Sequence, residues 1–304
     1  MISLVATELR RAIARRLVRV AAIAAFIGIG VAATLTAVNS HGLTDAQLAE
    51  GREFYQQDLD FCLSGQFIQE RDLPPGQTME EFCDEAVQLS NYLQTDEFHL
   101  SGLPEIVSGS SILVILGALL IGASLVGAEW HAGTMTTLLT WEPRRLRVLV
   151  AKSIAAAIVT FVIAISLLMV LSGLLWLVAS TRGVTEGLRG GFWGDVAGVV
   201  IRASVAASLA SLIGLAIAML GRNTAAAIGL GFAYLGVVEQ LVRGLRPAWQ
   251  PMLLGDNMAV FVDGGPTQLG GTLRTAAGAA FVVSCYAASF FVAAAFAFRA
   301  RDVN

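Results

Sequence analysis

The chain has 304 residues, of which 56% are apolar and only 14% are charged, and its mean hydropathy is +0.69. Soluble domains carry roughly 25% charged residues, so this composition excludes an ordinary soluble protein and indicates a chain that lies mostly in lipid. The formal net charge of -3 is distributed unevenly, and no segment has the basic composition of a nucleic-acid-binding domain.

Residues 1–19 predict an amphipathic helix in the inner membrane interface. Apolar residues recur there at helical spacing, with five arginines between them, which suits a helix next to anionic headgroups. The apolar positions are Ile2, Val5, Leu9, Ile13 and Leu17, and the arginines are Arg10, Arg11, Arg15, Arg16 and Arg19. The segment is interpreted as a topology signal and lipid anchor, with contact to a partner protein as an additional role.

Six apolar segments are long enough to cross a membrane, which requires about 20 residues each. They are 20–38, 106–128, 153–179, 196–220, 224–243 and 275–298. The first exceeds the roughly 7–15 apolar residues of a signal peptide, so we expect a retained span. Twelve of the 20 basic residues fall on one side if both termini are cytoplasmic. The sequence therefore predicts an all-α integral membrane protein, N-in and C-in, with a cytoplasmic tail at 299–304.

The longest polar segment, 39–104, is predicted to be a small helical extracellular domain. Together with Glu105 it has fourteen acidic residues against two arginines. Two helices are predicted, at 44–60 with a threonine cap at Thr44 and at 78–93 with a Thr–Glu capping box at Thr78, with a break at 73–76 between them. Cys62 and Cys83 are expected to form a disulfide outside the cell. Cys285, in the sixth span, is predicted to be a small buried residue.

The segment 129–152, between spans two and three, combines an apolar helical face with a cluster of basic residues. Its pattern consists of Glu129, Gly133-Thr134, Leu138-Leu139, Pro143, Arg145 and Lys152. We expect a turn that Thr134 or a neighbour caps, and a short helix at 135–143 whose apolar residues need cover from lipid or protein. The alternative is an ordinary cytoplasmic loop that only sets the topology.

This pattern resembles the type-2 ABC exporter permease family. The resemblance implies that the segment is a coupling helix docking on a separate ATP-binding-cassette ATPase through Glu129, Gly133, Thr134, Leu138, Leu139, Pro143 and Arg145. It also implies two permease copies in a bacterial plasma membrane. Trp141-Glu142 departs from the family pattern, which often has a small residue followed by serine or threonine.

No catalytic residue is predicted in this chain. Lys152-Ser153 lacks the glycine loop that wraps a phosphate, so no cofactor is expected here, and ATP and Mg²⁺ belong to the partner ATPase. His131 is a lone histidine in the docking turn, and no metal site is predicted. An ATP-independent carrier and a signalling or scaffold protein with an extracellular ligand-binding domain are the alternative functions. The apolar spans favour a lipidic or amphiphilic cargo.

Three features of the later spans have two interpretations each. Arg202 and Glu239 lie at similar predicted depth and are expected to pair; the rival is Glu239 with Arg243, with Arg202 reaching outward. A stripe of small residues suits a dimer seam or packing within one subunit. The stripe consists of Ala206, Ala210, Gly214 and Ala218. Residues 244–274 predict a hairpin that re-enters the outer leaflet or an interfacial loop anchored by Trp249.

Overall fold

The computed structural model describes residues 1–42, 44–65, 77–92 and 97–300, and within them the chain is almost entirely helical. The helices are α1 Ile2–Ala14, α2 Arg16–Asn39, α3 Asp45–Leu63, α4 Met79–Ala86, α5 Leu103–His131, α6 Thr134–Trp141, α7 Arg145–Arg182, α8 Phe192–Gly221, α9 Thr224–Ala233, α10 Glu239–Leu245, α11 Leu254–Asp263 and α12 Ala276–Ala300. A two-stranded antiparallel hairpin, β1 Thr267–Leu269 and β2 Thr272–Arg274, is a small addition to a fold that agrees with the predicted all-α class.

Within the described ranges, six helices are long and apolar enough to cross a membrane. They are Arg16–Asn39, Leu100–His131, Arg145–Arg182, Phe192–Gly221, Thr224–Leu245 and Ala276–Ala300. The chain is thus a multi-pass membrane protein. The third of these is 38 residues long and begins at Arg145, eight residues before the predicted start of the span. The basic cluster that follows Pro143 therefore lies on the first turns of a helix.

The chain divides into two compact units. The span unit comprises Met1–Ala32, Ser101–Leu174 and the described residues from Gly187 onward. The loop unit comprises the described residues of Ala33–Leu100 together with Leu175–Glu186. The residues of each unit contact mainly other residues of the same unit.

The core of the span unit is the close packing of α5 against α8. A Cβ at Gly122 would collide with the backbone of Ser211, and one at Gly214 would collide with the backbone of Leu119, so glycine permits the approach of the two helices. Ala206, Ala210 and Ala218 are also buried in this chain. The small-residue stripe therefore serves packing within one subunit, which settles the alternative left open by its sequence.

The fifth span is interrupted by a π-helical segment, Tyr234–Val238, which lies between α9 and α10. After α10 the chain forms a 3-10 turn, Pro247–Met252, and then α11, which buries Leu254, Asn257 and Met258. Residues 244–274 are thus a packed helix followed by the β1–β2 hairpin. Whether the segment re-enters the outer leaflet or lies at the interface stays a prediction.

In the loop unit, α3 and α4 begin at the two predicted threonine caps. The hydroxyl of Thr78 accepts a hydrogen bond from the N–H of Glu81 (3.3 Å), whose carboxylate accepts the Thr78 N–H (3.0 Å), which confirms the capping box. The predicted Cys62–Cys83 disulfide is present, with its Cα atoms 5.9 Å apart. The predicted break at 73–76 lies outside the described residues.

The second helix of the loop unit is shorter than predicted. α4 ends at Ala86, and Val87 leaves the helical conformation before a 3-10 turn, Leu89–Asn91. This change of direction lets the Tyr92 hydroxyl donate to the carboxylate of Asp58 on α3 (2.6 Å). The ring of Tyr92 also meets that of Tyr55 edge to face, with centroids 6.1 Å apart. A helix that continued past Ala86 would not direct the Tyr92 hydroxyl toward Asp58.

The base of the loop unit is closed by Ser40, which is buried. Its hydroxyl donates to the carbonyl of Arg182 (2.7 Å) and accepts the N–H of Phe98 (2.9 Å). Val184 adds two backbone hydrogen bonds, accepting from Leu100 and donating to Phe98, both at 2.9 Å. These contacts join residues near both ends of the segment 33–100 to Arg182, the last residue of α7, and to Val184.

Candidate functional site

The segment between the second and third spans folds as a sharp turn and a two-turn helix. Gly133 has a φ of +67°, the left-handed conformation that glycine adopts at little cost, and it occupies the N-cap position of α6. The hydroxyl of Thr134 reaches back to the carbonyl of Glu129 (3.4 Å). Thr134 therefore closes the turn, and its neighbour Gly133 is the N-cap, in agreement with the expectation that Thr134 or a neighbour caps the helix.

α6 has one face against its own chain and one face open. Met135 is completely buried, while Leu138 and Leu139 are half-buried. Trp141, which marks the departure from the expected pattern, has 83% of its surface exposed. The chain itself thus covers much of the apolar face predicted from sequence, and the largest apolar side chain left open on α6 is Trp141.

The residues after α6 tie this segment to the C-terminal span. Glu142 is extended, Pro143 follows it, and α7 begins at Arg145. The guanidinium of Arg145 donates to the carbonyls of Phe298 (3.0 Å) and Arg299 (3.4 Å), near the end of α12. A cation is favourable at a helix C-terminus, where the carbonyls lack partners within the helix. The structure therefore gives Arg145 an intramolecular anchoring contact.

A group of four charged residues, three of them buried, lies beside α6, and we call it the charge cluster: Glu8, Arg15, Glu129 and Lys152. The ammonium of Lys152 is 2.7 Å from Glu8 Oε2 and 2.6 Å from Glu129 Oε2. A guanidinium nitrogen of Arg15 is 2.7 Å from Glu129 Oε1. The relative exposure is 2% for Lys152, 5% for Glu8 and 9% for Glu129.

The charge cluster joins the N-terminal segment to two spans. Glu8 belongs to α1, Arg15 lies between α1 and α2, Glu129 is near the end of α5, and Lys152 is on α7. Arg15 also donates to the carbonyls of Ser124 (2.7 Å) and Leu125 (2.9 Å) on α5. Buried charges are costly unless paired, so each member depends on the others.

Sequence reasoning singled out Glu129 and Lys152 but missed the roles of Glu8 and Arg15. A signal for Glu8 was available, because it lies one helical turn from Val5 and Ala12 and next to Leu9, on the apolar side of α1. An acidic residue within an apolar face requires a partner. Lys152 is the only lysine in the sequence and is the counter-charge that satisfies it.

An open groove of about 630 Å³ runs between the α1–α2 junction and α6. It is lined by Arg11, Ala14, Arg15, Glu129, Thr134, Thr137, Leu138 and Trp141. One wall is basic, and the other is formed by α6. The predicted coupling residues Glu129, Thr134 and Leu138 therefore meet at one surface, whereas Pro143 and Arg145 lie beyond the end of α6.

The predicted Arg202–Glu239 ion pair is not the arrangement found. Glu239, only 1% exposed, accepts the N–H of Gly255 at the start of α11 (2.7 Å) and pairs with Arg243 (3.3 Å). Arg202 instead donates to the carbonyls of Val262 (3.0 Å) and Asp263 (3.2 Å) at the end of α11. Glu239 therefore binds the N-terminal end of α11, where free amides attract a carboxylate. Arg202 binds the C-terminal end, where free carbonyls attract a guanidinium. Glu239 thus pairs with Arg243, as in the rival interpretation, but Arg243 also pairs with Asp256 on α11 (2.6 Å), and Arg202 contacts the end of α11 instead of reaching outward.

Two cysteine predictions have different outcomes. The Cys62–Cys83 bridge belongs to the loop unit and is confirmed as described above. The expectation for Cys285 was wrong, since its side chain is exposed on α12 in the isolated chain. No group of three or more His, Cys, Asp or Glu side chains suited to a metal ion occurs in the part of the chain that the structure describes.

Comparison with known protein families matches the chain to a family of transporter proteins. A family model described as ABC-2 family transporter protein matches residues 2–252, which includes α1, the turn into α6 and five of the six candidate spans. No curated protein matches the chain in a sequence search. The match covers most of the chain, and with it the charge cluster and α6. The chain therefore belongs to the ABC-2 family of transporter proteins and is a permease of the ABC transporter type.

Proposed function

We propose that this chain is the permease subunit of an ATP-driven exporter and that a separate ATP-binding-cassette ATPase docks on α6. The observation that carries the proposal is the exposure of Trp141, at 83%, on a helix whose other side is buried through Met135. A large aromatic residue held open on a short, well-anchored helix is typical of the residues that dominate protein interfaces. The groove beside it supplies basic and apolar walls for a partner.

The docking helix is connected to the spans at both ends. α6 follows α5 through Gly133 and precedes α7 through Pro143, and the charge cluster fixes α5 and α7 to α1. A force that the ATPase exerts on α6 would therefore reach two spans and the N-terminal helix together. This is how closure of the ATPase upon ATP binding would open the pathway.

The rest of the proposal follows from the sequence and the family. ATP and Mg²⁺ bind in the partner subunit, because this sequence has no phosphate-binding glycine loop. The arginine distribution supports a topology with α1, α6 and both termini in the cytoplasm and the loop unit outside. The membrane in this proposal is a bacterial plasma membrane. Two copies of the chain form the pathway, and the apolar spans favour a lipidic or amphiphilic cargo.

The experiment replaces Trp141 with alanine and measures how much ATPase co-purifies with the permease from its native membrane, together with vanadate-sensitive ATP hydrolysis. Loss of an anchoring aromatic costs at least about 2 kcal/mol, so binding should weaken by about 30-fold. Trp249→Ala is the matched control. Trp249 is 60% exposed in the 3-10 turn Pro247–Met252, which the proposed topology places on the opposite side of the membrane.

A second variant, with Leu138 and Leu139 both changed to serine, tests the half-buried part of α6. It should also lose the ATPase while the purified permease keeps the thermal stability of the Trp249→Ala control. If both α6 variants hold a vanadate-sensitive ATPase as well as the control does, the docking assignment is wrong. Transport that continues without any bound ATPase would favour an ATP-independent carrier.

A further inference from the structure

A groove of about 410 Å³ lies between α2, α5 and α7, and nearly all of its walls are hydrocarbon. Small side chains form the floor, among them Ala25 and Gly28 of α2, Gly117 of α5 and Ala164 of α7. The polar side chains that line it are Ser110 and Thr160, and each hydroxyl donates to a carbonyl one turn earlier in its own helix, at 3.0 and 2.8 Å. The groove thus suits an apolar occupant.

The groove is also open along one side. α2 is the least buried of the candidate spans, with 6% of its most apolar window buried. A Cβ added at Gly28 or at Gly117 would meet no atom within 4 Å. Interiors of proteins are normally close-packed, so space of this size beside a loosely held span requires filling by something other than the chain's own side chains.

The dimensions of the groove match a lipid tail. Its wall on α2 extends from Ala21 to Ala32, about 16 Å at 1.5 Å per residue. One leaflet of the hydrocarbon core is about 15 Å thick. An acyl chain that enters from the side of the N-terminus would therefore occupy the whole groove.

A second cavity, of about 340 Å³, continues this groove toward α1. The two cavities share Ala22 and Ile163 as walls, and the second is also lined by Leu9 and Ile13 of α1 and by Arg19. The side chain of Arg19 is exposed and makes no ion pair or hydrogen bond with the described residues. A guanidinium at the mouth of an apolar groove is complementary to a phosphate above a hydrocarbon tail.

We infer that the groove holds one acyl chain of an anionic phospholipid from the leaflet on the N-terminal side, with the lipid phosphate on Arg19. The bound lipid wedges α2 against α5 and α7. The site is a property of this chain alone and does not require the docking function proposed for α6.

The test uses the full chain purified in detergent and native mass spectrometry, with phosphatidylglycerol and phosphatidylcholine of identical acyl chains as probes. Wild type should retain phosphatidylglycerol in preference to phosphatidylcholine. Gly28→Leu and Gly117→Leu should each lower binding of both lipids by about tenfold, because the new side chain occupies the space of several methylene groups. Arg19→Gln should lower phosphatidylglycerol binding by about fivefold and phosphatidylcholine binding by less, because the choline ammonium already offsets the charge of the phosphate that both lipids carry.

Gly30→Leu is the matched control, since Gly30 is on the same helix, has equally open space at its Cβ and does not line the groove. It should bind both lipids as wild type does. Equal binding of the two lipids by wild type would overturn the assignment of an anionic phospholipid to the groove. Retention of lipid by Gly28→Leu and Gly117→Leu at the level of Gly30→Leu would overturn the groove as the site.

Discussion

The charge cluster of the span unit and the loop unit are held together in different ways. Four charged side chains join α1, α5 and α7 in the cluster, and three of them are buried. The loop unit uses a disulfide, two capping boxes and the hydrogen bonds of Ser40 and Tyr92. Thiols stay reduced in the cytoplasm, so a disulfide suits the predicted outer side.

The difference has an energetic consequence. In the charge cluster, removal of one member leaves its partners as buried, uncompensated charges, so the effects of substitutions there should be large and non-additive. In the loop unit the bonds are separated and mostly at the surface, so each should contribute independently. The substitutions below test that contrast, from the largest expected effect to the smallest.

Lys152→Met should be the most damaging single change. Glu8 and Glu129 would then face each other in a buried site without the ammonium between them, and the loss of one partner from a buried pair costs about 3–5 kcal/mol. Thermal unfolding of the purified chain in detergent measures the effect. Arg147→Met is the control, because Arg147 is exposed on the same helix and should change stability by less than about 0.5 kcal/mol.

Glu8→Gln combined with Lys152→Met sharpens the test. The double variant also removes the charge of Glu8, one of the two buried carboxylates that lose Lys152, so it should be more stable than Lys152→Met alone. A simple sum of the two single effects would contradict the view that the charge cluster acts as one group.

Replacement of Cys62 and Cys83 by serine should destabilise the loop unit by about 3 kcal/mol. The bridge links residues 21 apart, and the chain-entropy treatment gives that value for a loop of this size. Trypsin cleavage at Arg52, an exposed residue on α3, reports the unfolding of the helix. Cys285→Ser is the control and should leave the cleavage rate at the wild-type value, whereas equal rates for all three proteins would show that the bridge is dispensable.

Ser40→Ala should cost about 1–3 kcal/mol, because the Phe98 N–H and the Arg182 carbonyl would lose their buried partner. Hydrogen–deuterium exchange at the Phe98 amide should become faster. Ser64→Ala removes an equally short bond, from the hydroxyl to the carbonyl of Phe61, but at an exposed position, and exchange at Phe98 should not change. Equal exchange rates in the two variants would exclude Ser40 as the closing contact of the loop unit.

The sequence predicted the features that depend on length and local spacing. Six apolar segments, the threonine caps and the Cys62–Cys83 bridge needed no knowledge of how the helices pack. The position of α6 was also predictable, since Gly133 and Pro143 bracket it. Its orientation was not, because the burial of Met135 and the exposure of Trp141 depend on neighbouring helices that no local pattern specifies.

The errors concern partners distant in sequence. Arg202 and Glu239 were paired because their depths agree, but depth does not determine the direction in which a side chain points around its helix. The π-helical segment Tyr234–Val238 changes that direction just before Glu239, and α11 supplies backbone partners to both charges. Glu8 was missed for a related reason, since its partner Lys152 is 144 residues away.

The smallest expected effect concerns the ionisation of Tyr92. The hydrogen bond to the Asp58 carboxylate raises the pKa of Tyr92 above its usual value of about 10, since the phenolate would face a negative charge. A pKa raised by folding means that this bond contributes to stability below pH 10 and is lost as the pH rises through the higher folded value. Alkaline pH should therefore loosen the contact between Tyr92 and α3, while the disulfide keeps α4 attached.

Asp58→Asn should return the pKa of Tyr92 toward 10, because the neutral amide no longer repels the phenolate. Phenolate absorbance, measured as the difference from a Tyr92→Phe protein, isolates this tyrosine from the other three. Asp60→Asn is the control, since it removes a carboxylate from the same helix that does not bind the hydroxyl, and its titration should match wild type. An equal shift in both variants would mean that the general negative charge of α3, and not the hydrogen bond, sets the ionisation of Tyr92. In that case the charges of the loop unit would act as a group, as those of the charge cluster do, although without its direct ion pairs.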